Sequence, residues 1–383
     1  EALITDIPAV NPGKPEGTNT WSAHKKWLMR KVETGALPES AIIEIETSTA
    51  RVGEILANPE LEKIYGLVVG YVQSGKTAHF TGVMSRAADL GFTFIIVLSG
   101  VLNDLRRQTQ LRLVKDIIGD HPGVPSGLPE GTSIPIGGRP YMALLTSPDK
   151  DGDVKTPTRD ALPDRLDPDL NDKNIQVAVV KKHTTVLEHL RDGIIMTDPK
   201  IRAKHRVLII DDEADYATVN TGGRDELEDS TLEGMAQDDE VLDPKTHPTR
   251  TNRAVRRILS LFEKTAYIGY TATPFANVLI EEKKVDPQLG QTLYPRNFIM
   301  SLKRPEGYFG PDTFFGNLDD PDDERQHLVE VSESEARVVH DMQYDPDSRT
   351  EDLVPEALQN AIMDFFLTGA VRELRRRNGR RMN

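Results

Sequence analysis

The sequence contains no cysteine in 383 residues. Disulfides, thiol catalysis and thiolate-held zinc or iron–sulfur clusters are thereby excluded. Missing too is any run of about eighteen apolar residues, the length a helix needs to cross a bilayer. No N-terminal signal pattern is present. Positive charge is in deficit: 47 Lys and Arg stand against 61 Asp and Glu, a net charge of −14. A surface built to coat nucleic acid is basic, so strong non-specific binding is not expected, although a local basic track remains open. Nine histidines are scattered, and none forms a paired metal spacing on a helix. A cytoplasmic address without a membrane is the simplest expectation. The chain is long enough to bury a sizeable core in about two domains.

What the chain does have is Gly70-Tyr71-Val72-Gln73-Ser74-Gly75-Lys76-Thr77. This Gly-x-x-x-x-Gly-Lys-[Ser/Thr] spacing wraps a nucleoside triphosphate, ATP with Mg²⁺ in the first instance. Glycines let backbone N–H groups converge on phosphate oxygens, and a helix starting near Lys76 adds its positive end. Gly70, Gln73, Ser74, Gly75, Lys76 and Thr77 are the candidate cradle. Lys76 reaches the β- and γ-phosphates, Thr77 holds the cation, and Gln73 adds a polar contact. The flanks agree. Leu67-Val68-Val69 suits a buried strand, and residues 77–90 are amphipathic at helical spacing and end at Gly91.

A phosphate loop needs a carboxylate for its metal and a group to orient water. The apolar run Val207-Leu208-Ile209-Ile210 leads straight into Asp211-Asp212-Glu213-Ala214-Asp215. Carboxylates at that edge of a parallel sheet sit where open α/β folds bind ligands. Asp212 is the candidate metal ligand and Glu213 the candidate general base. Sequence alone leaves Asp211 interchangeable with Asp212. A third strand, Tyr267-Ile268-Gly269-Tyr270, breaks into Thr271-Ala272-Thr273-Pro274, which alone would be an ordinary strand-turn.

In this order the three segments resemble motifs I, II and III of superfamily-2 helicases and translocases. Ile95 to Gly100, followed by Leu105-Arg106-Arg107-Gln108-Thr109, looks like their motif Ia region. Together with Gly269 to Asn277 and Tyr294-Pro295-Arg296-Asn297-Phe298-Ile299, the set looks like the Z-one domain family. Those bacterial proteins are labelled endonucleases, carry a helicase-like ATPase, and occur in antiphage defence loci beside nuclease or other ATPase partners. The likeness spans about residues 60 to 375. It implies a motor lobe acting on nucleic acid, DNA in the first instance. Asp215, Thr271 and Thr273 would couple phosphate state to that contact, and Arg106, Arg107, Lys181 and Lys182 would touch the nucleic acid. Superfamily-2 engines have a second RecA-like lobe, and no second motif set occurs before Asn383. The expectation is a piece of a longer protein, with the apolar stretch 358–367 and the basic run 372–381 forming a linker helix toward that lobe.

The predicted fold is α/β: a RecA-like P-loop lobe whose parallel sheet is covered by helices on both faces. Strands are expected at 67–70, 94–98, 141–145, 177–180, 207–210 and 266–270. Helices at 21–35 and 40–61 should pack beside them, and 252–262 should feed the last strand. Expected divisions are an N-terminal helical region (1–62), the lobe (63–283), an extension with an acidic linker (284–345), and the linker helix (346–383). Residues 119–173 read as an insert around one strand, and 221–248 as an acidic stretch. The aromatics of 293–315 read as packing more than as a base-stacking platform. A metal-nuclease spelling is weak: Asp149 with Asp153-Val154-Lys155 lies in one Pro/Gly/Asp loop, and Glu281-Glu282-Lys283 lacks a partner aspartate. Two alternatives to the motor stay open. One is a nucleotide-gated module that recruits an effector; the other is an endonuclease whose cutting centre is not visible here.

Overall fold

In the computed structural model the apolar runs become strands of one parallel sheet. The structure describes residues 20–35, 37–71, 75–118, 142–147, 153–170, 175–216, 249–280, 289–306, 331–337 and 355–377, with 218, 285, 286 and a few single positions between 308 and 316. Gln73, Ser74, Asp149, Glu281, Glu282 and Lys283, together with 221–248 and the acidic 319–324, lie outside them.

The strands are β1 (Lys63–Val69), β2 (Phe94–Ser99), β3 (Met142–Leu144), β4 (Ile175–Lys181), β5 (Arg206–Asp212) and β6 (Lys264–Thr271). After the short ribbon β7 (Val285–Asp286) with β8 (Gly290–Gln291) comes β9 (Phe298–Ser301). The seven-stranded sheet has the order β3-β4-β2-β5-β6-β1-β9. Each pairing in it is parallel. The central strands are buried on both sides, which is why they read as continuous Val/Ile/Leu runs without alternation.

The helices are α1 (Thr20–Glu33), α2 (Glu39–Ala57), α3 (Lys76–Asp89), α4 (Asn103–Leu113), α5 (Thr156–Leu166), α6 (Thr184–Met196), α7 (Pro199–Arg202), α8 (Arg250–Ser260), α9 (Phe275–Val278) and α10 (Glu356–Arg377). Within the first compact unit, helices flank the sheet on both faces. On one face, Ile95, Val97, Leu208 and Ile210 meet Val52 and Leu56 of α2 and Phe80, Val83 and Met84 of α3. On the other, Phe94, Ile96, Val207 and Ile209 meet Leu162 of α5, Leu187 and Leu190 of α6, and Val255 of α8. Each such side chain contributes about 1.5–3 kcal/mol through burial.

The two N-terminal helices fall close to their expected ranges and pack on α3. Asp89, at the end of α3, accepts from the backbone N–H of Thr20 (2.8 Å) and Trp21 (3.0 Å) and so satisfies the first donors of α1. The Arg86 guanidinium lies 4.1 Å from the centre of the Trp21 ring. No boundary therefore falls at residue 62; the first compact unit runs to Glu306.

Two elements differ from expectation. Residues 156–166 form α5 instead of loop. Pro157 starts it where a missing N–H costs nothing, and Leu162 and Leu166 are buried despite Pro163 inside the helix. The segment after 283 is not a separate extension, because β9 pairs with β1 at the sheet edge. The Phe298 ring approaches Gly66 closely, and a Cβ there would come within 2.1 Å of the ring; only glycine admits that approach. Packing accounts for Arg296, Asn297 and Phe298 of this block, while Phe309 and Phe314 lie outside the described residues. Asn297 accepts from the Tyr65 N–H (2.7 Å), and Arg296 stacks 4.6 Å from the centre of the Tyr65 ring.

The second unit, residues 307–383, contains α10. Leu358, Ile362, Phe365 and Phe366 are exposed along it, and Arg372 to Arg377 form its final turns. Among the described residues no helix is long and apolar enough to cross a membrane.

Candidate functional site

Sheet order brings the three motif segments to one edge. β6 lies between β1 and β5, so the turn after β6 lies between the loop after β1 and the acidic turn after β5.

The first turn of α3 begins at Lys76, directly after Gly75 with φ 90°. A side chain at Gly75 would be strained in that left-handed conformation. The Gly70 N–H donates to the Thr271 carbonyl at 2.9 Å, tying the loop's start to the end of β6. Lys76 is half-buried. Its stem crosses Gly70 and its ammonium donates to the Tyr71 carbonyl at 3.3 Å. The Thr77 hydroxyl accepts a long 3.4 Å contact from Arg112 on α4.

On β5 the two aspartates part company because side chains alternate across a strand. Asp212 continues the face of Leu208 and Ile210, which α3 covers. Burial pushes its carboxyl pKa up. Lys182 and Lys76 oppose that shift, while Glu213 and Asp211 add to it. Asp211 continues the opposite face and is fully buried, 2.8 Å from the Lys182 ammonium, with the Tyr267 hydroxyl donating to it at 2.5 Å. The two residues are therefore not interchangeable: Asp212 shares its face with α3, and Asp211 is internal.

Glu213 is exposed and has φ 58°, the one non-glycine residue with positive φ among those described. Its carboxylate points over Gly100 at the end of β2. Asp215 accepts from the hydroxyls of both Thr271 and Thr273 at 2.5 Å each, and the Thr273 N–H donates back to the Thr271 hydroxyl at 2.8 Å. The Ala214 N–H donates to the Tyr270 carbonyl at 2.9 Å, and Asn277 donates to the Ala214 carbonyl at 3.0 Å. The acidic turn and the Thr-Ala-Thr turn are thus one hydrogen-bonded unit.

Sequence reasoning missed a partner pair beneath this edge. Tyr270 pairs in register with Asp212, and its hydroxyl shares a 3.0 Å hydrogen bond with His79 of α3. Burial holds the His79 pKa down to about 3 and raises the Tyr270 pKa well above 10, so both are neutral. A histidine three positions after Lys76, on the inward side of an amphipathic helix, was the available signal.

No protein-family model matches the chain, and no curated protein matches it either.

Among the described residues no cluster of three His, Asp or Glu side chains could by itself hold a metal. Mg²⁺ does not require one, since it takes one or two protein oxygens and completes its shell with phosphate and water. A half-buried carboxylate on the α3 face, with a hydroxyl in the first turn of that helix, fits such a cation. Thr77 and Asp212 are the residues that would hold it.

The nucleic-acid candidates divide. Arg107 is exposed on α4 and Lys181 is half-buried at the end of β4. Arg106 and Lys182 are corrected to internal roles. Arg106 is fully buried; it donates to Gln110 (2.8 Å) and to the Ser147 carbonyl (2.8 Å), and it lies 3.7 Å from Asp153. A guanidinium enclosed in this way cannot reach a phosphate backbone. Lys182 faces Asp211 for the alternation reason given above. Asp153 is likewise internal. It is buried and accepts from the N–H groups of Val154 (2.9 Å) and Lys181 (3.4 Å), leaving it a structural anchor.

Proposed function

We propose that this chain is an ATP-binding and hydrolysing motor lobe of RecA-like, superfamily-2 helicase type, related to the Z-one domain family and acting on nucleic acid. One observation carries the reading: Asp215 holds both Thr271 and Thr273, on the turn next to Asp212 and the phosphate loop. That clamp ties the acidic turn to the end of β6, so a shift at the phosphates would reach the neighbouring strand. In this reading the N-terminus of α3 and Lys76 bind the phosphates. Bound Mg²⁺, held by Thr77 and Asp212, would neutralise phosphate charge. Glu213, exposed beyond the strand end, takes the proton from attacking water. Asp215 passes the change to Thr271 and Thr273. Arg107 and Lys181 remain as contacts to nucleic acid, with DNA the first candidate. A second RecA-like lobe and defence-system effectors are the partners the family resemblance suggests.

The test is ATP turnover by the full protein with and without single-stranded and duplex DNA. Lys76→Ala should abolish ATP binding. Glu213→Gln should preserve binding and lower kcat by about 10²–10⁴-fold. Turnover intact in Glu213→Gln removes the base assignment, and turnover indifferent to DNA favours a nucleotide-gated switch.

A further inference from the structure

We infer that Lys182 is a positioning residue for hydrolysis: its buried ammonium, neutralised by Asp211, fixes the backbone of the turn that presents Glu213. The inference rests on the hydrolysis reading above and names a component of that site which motif spacing does not mark.

Lys182 is the first residue beyond β4, and its side chain is enclosed. The ammonium donates to the Glu213 carbonyl at 2.5 Å and to the Tyr216 carbonyl at 3.2 Å. Its 2.8 Å approach to Asp211 Oδ1 is a charge pairing without directed hydrogen-bond geometry, so the donors are aimed at the turn. The Tyr216 N–H also donates to the Glu213 carbonyl, at 2.9 Å. Two donors therefore converge on the backbone of one residue, and that residue has φ 58°. A glutamate adopts the left-handed region only when its surroundings over-determine it.

The energetics point the same way. Enclosing an ammonium and a carboxylate removes both from water, and a well-packed apolar pair at such a place is commonly as stable or more so. Stability alone does not explain the pair. Its geometry does: Asp211 neutralises Lys182, the Tyr267 hydroxyl donates to Asp211, and Lys182 reaches across from β4 to hold two carbonyls of the turn after β5. The Glu213 backbone is fixed while its side chain stays exposed, as a group that must meet water requires.

Lys182→Met alone would strand a buried Asp211 charge and threaten folding. The test is therefore Lys182→Met/Asp211→Asn, compared with Lys182→Gln/Asp211→Asn, which restores N–H donors without charge. In the full protein three quantities are measured: ATP affinity, kcat, and amide hydrogen exchange of residues 214–216 without nucleotide. The Met/Asn variant should keep its melting temperature and ATP affinity, exchange faster at 214–216, and lose about 100-fold in kcat through misplacement of Glu213. The Gln/Asn variant should recover about ten-fold of that loss and part of the protection. Unchanged kcat, or a fall in affinity and melting temperature that tracks kcat, overturns the positioning role. If the parent protein neither binds nor hydrolyses ATP, the proposed function falls. The exchange measurement still decides the tie, and unchanged protection at 214–216 in the Met/Asn variant overturns it.

Discussion

The two faces of the sheet share their strands and differ in what they bury. The α2/α3 face mixes its apolar core with enclosed polar groups. Thr49 and Ser85 donate to carbonyls one helical turn back (2.6 and 2.9 Å), His79 bonds Tyr270, and His24 of α1 shares a 3.1 Å hydrogen bond with the Asp116 carbonyl. On the strands of the α6/α8 face the enclosed polar groups lie toward the ends: Gln176 and Thr265 near the N-terminal ends, and Lys182, Asp211 and the Tyr267 hydroxyl at the C-terminal margin. The polar groups of the first face lie among α1, α2 and α3. The second face lies on the side of the sheet away from those helices.

The largest expected break in the comparison is on the apolar side. Leu190→Ala should cost about 2–5 kcal/mol in urea unfolding, equally at every pH, and leave ATP affinity of the folded protein unchanged. A pH-dependent loss would show that the two faces are not separable.

A somewhat smaller effect belongs to the polar side and appears only in acid. Burial holds the His24 pKa down to about 4, against 6.5 when unfolded. The unfolded chain then binds more protons between those values, so stability is complete above pH 6.5 and falls toward pH 4. His24 alone accounts for about 3 kcal/mol of that fall. His79 acts in the same direction, as does His205 at the opposite end of the strands. His24→Gln should make the urea midpoint fall less steeply between pH 6.5 and 4, and an equally steep profile would remove this account.

The smallest effect sharpens the link between α3 and β6. Tyr270→Phe deletes the hydroxyl that pairs with His79 and should cost about 1–3 kcal/mol, the range for a buried group left unpaired. Because Tyr270 lies beside Asp212, the same variant should alter Mg²⁺-dependent ATP affinity more than Leu190→Ala does. Equal affinities would confine Tyr270 to a packing role.

Much of this was legible from residues. Strands enclosed on both faces have to be apolar throughout, so five of the seven sheet strands announce themselves, and β3 is found as a shorter piece of the expected run. The four-position phosphate-loop spacing and its flanks locate α3. Phase was harder to read. Whether Asp211 or Asp212 faces α3 depends on a two-residue period that an unbroken apolar run conceals. Charge was misleading for a related reason: Arg106 and Lys182 look like surface cations because their internal acceptors, Ser147, Asp153, Asp211 and the Glu213 carbonyl, are distant in sequence. Prolines hid α5, since Pro163 would break most helices and here lies in a short one anchored by two leucines. β9 was hidden by brevity and by its position at an edge.

The place of β6 has a metric consequence. Parallel strands repeat at about 4.8 Å, so the ends of β1 and β5 stand two repeats, about 10 Å, apart with β6 between them. Loop flexibility cannot change that span, because it is measured out by backbone hydrogen bonds. The edge is a fixed-gauge caliper. A bound group that reaches both jaws reads both, and one shortened at its far end lets go of one jaw while still seated in the other.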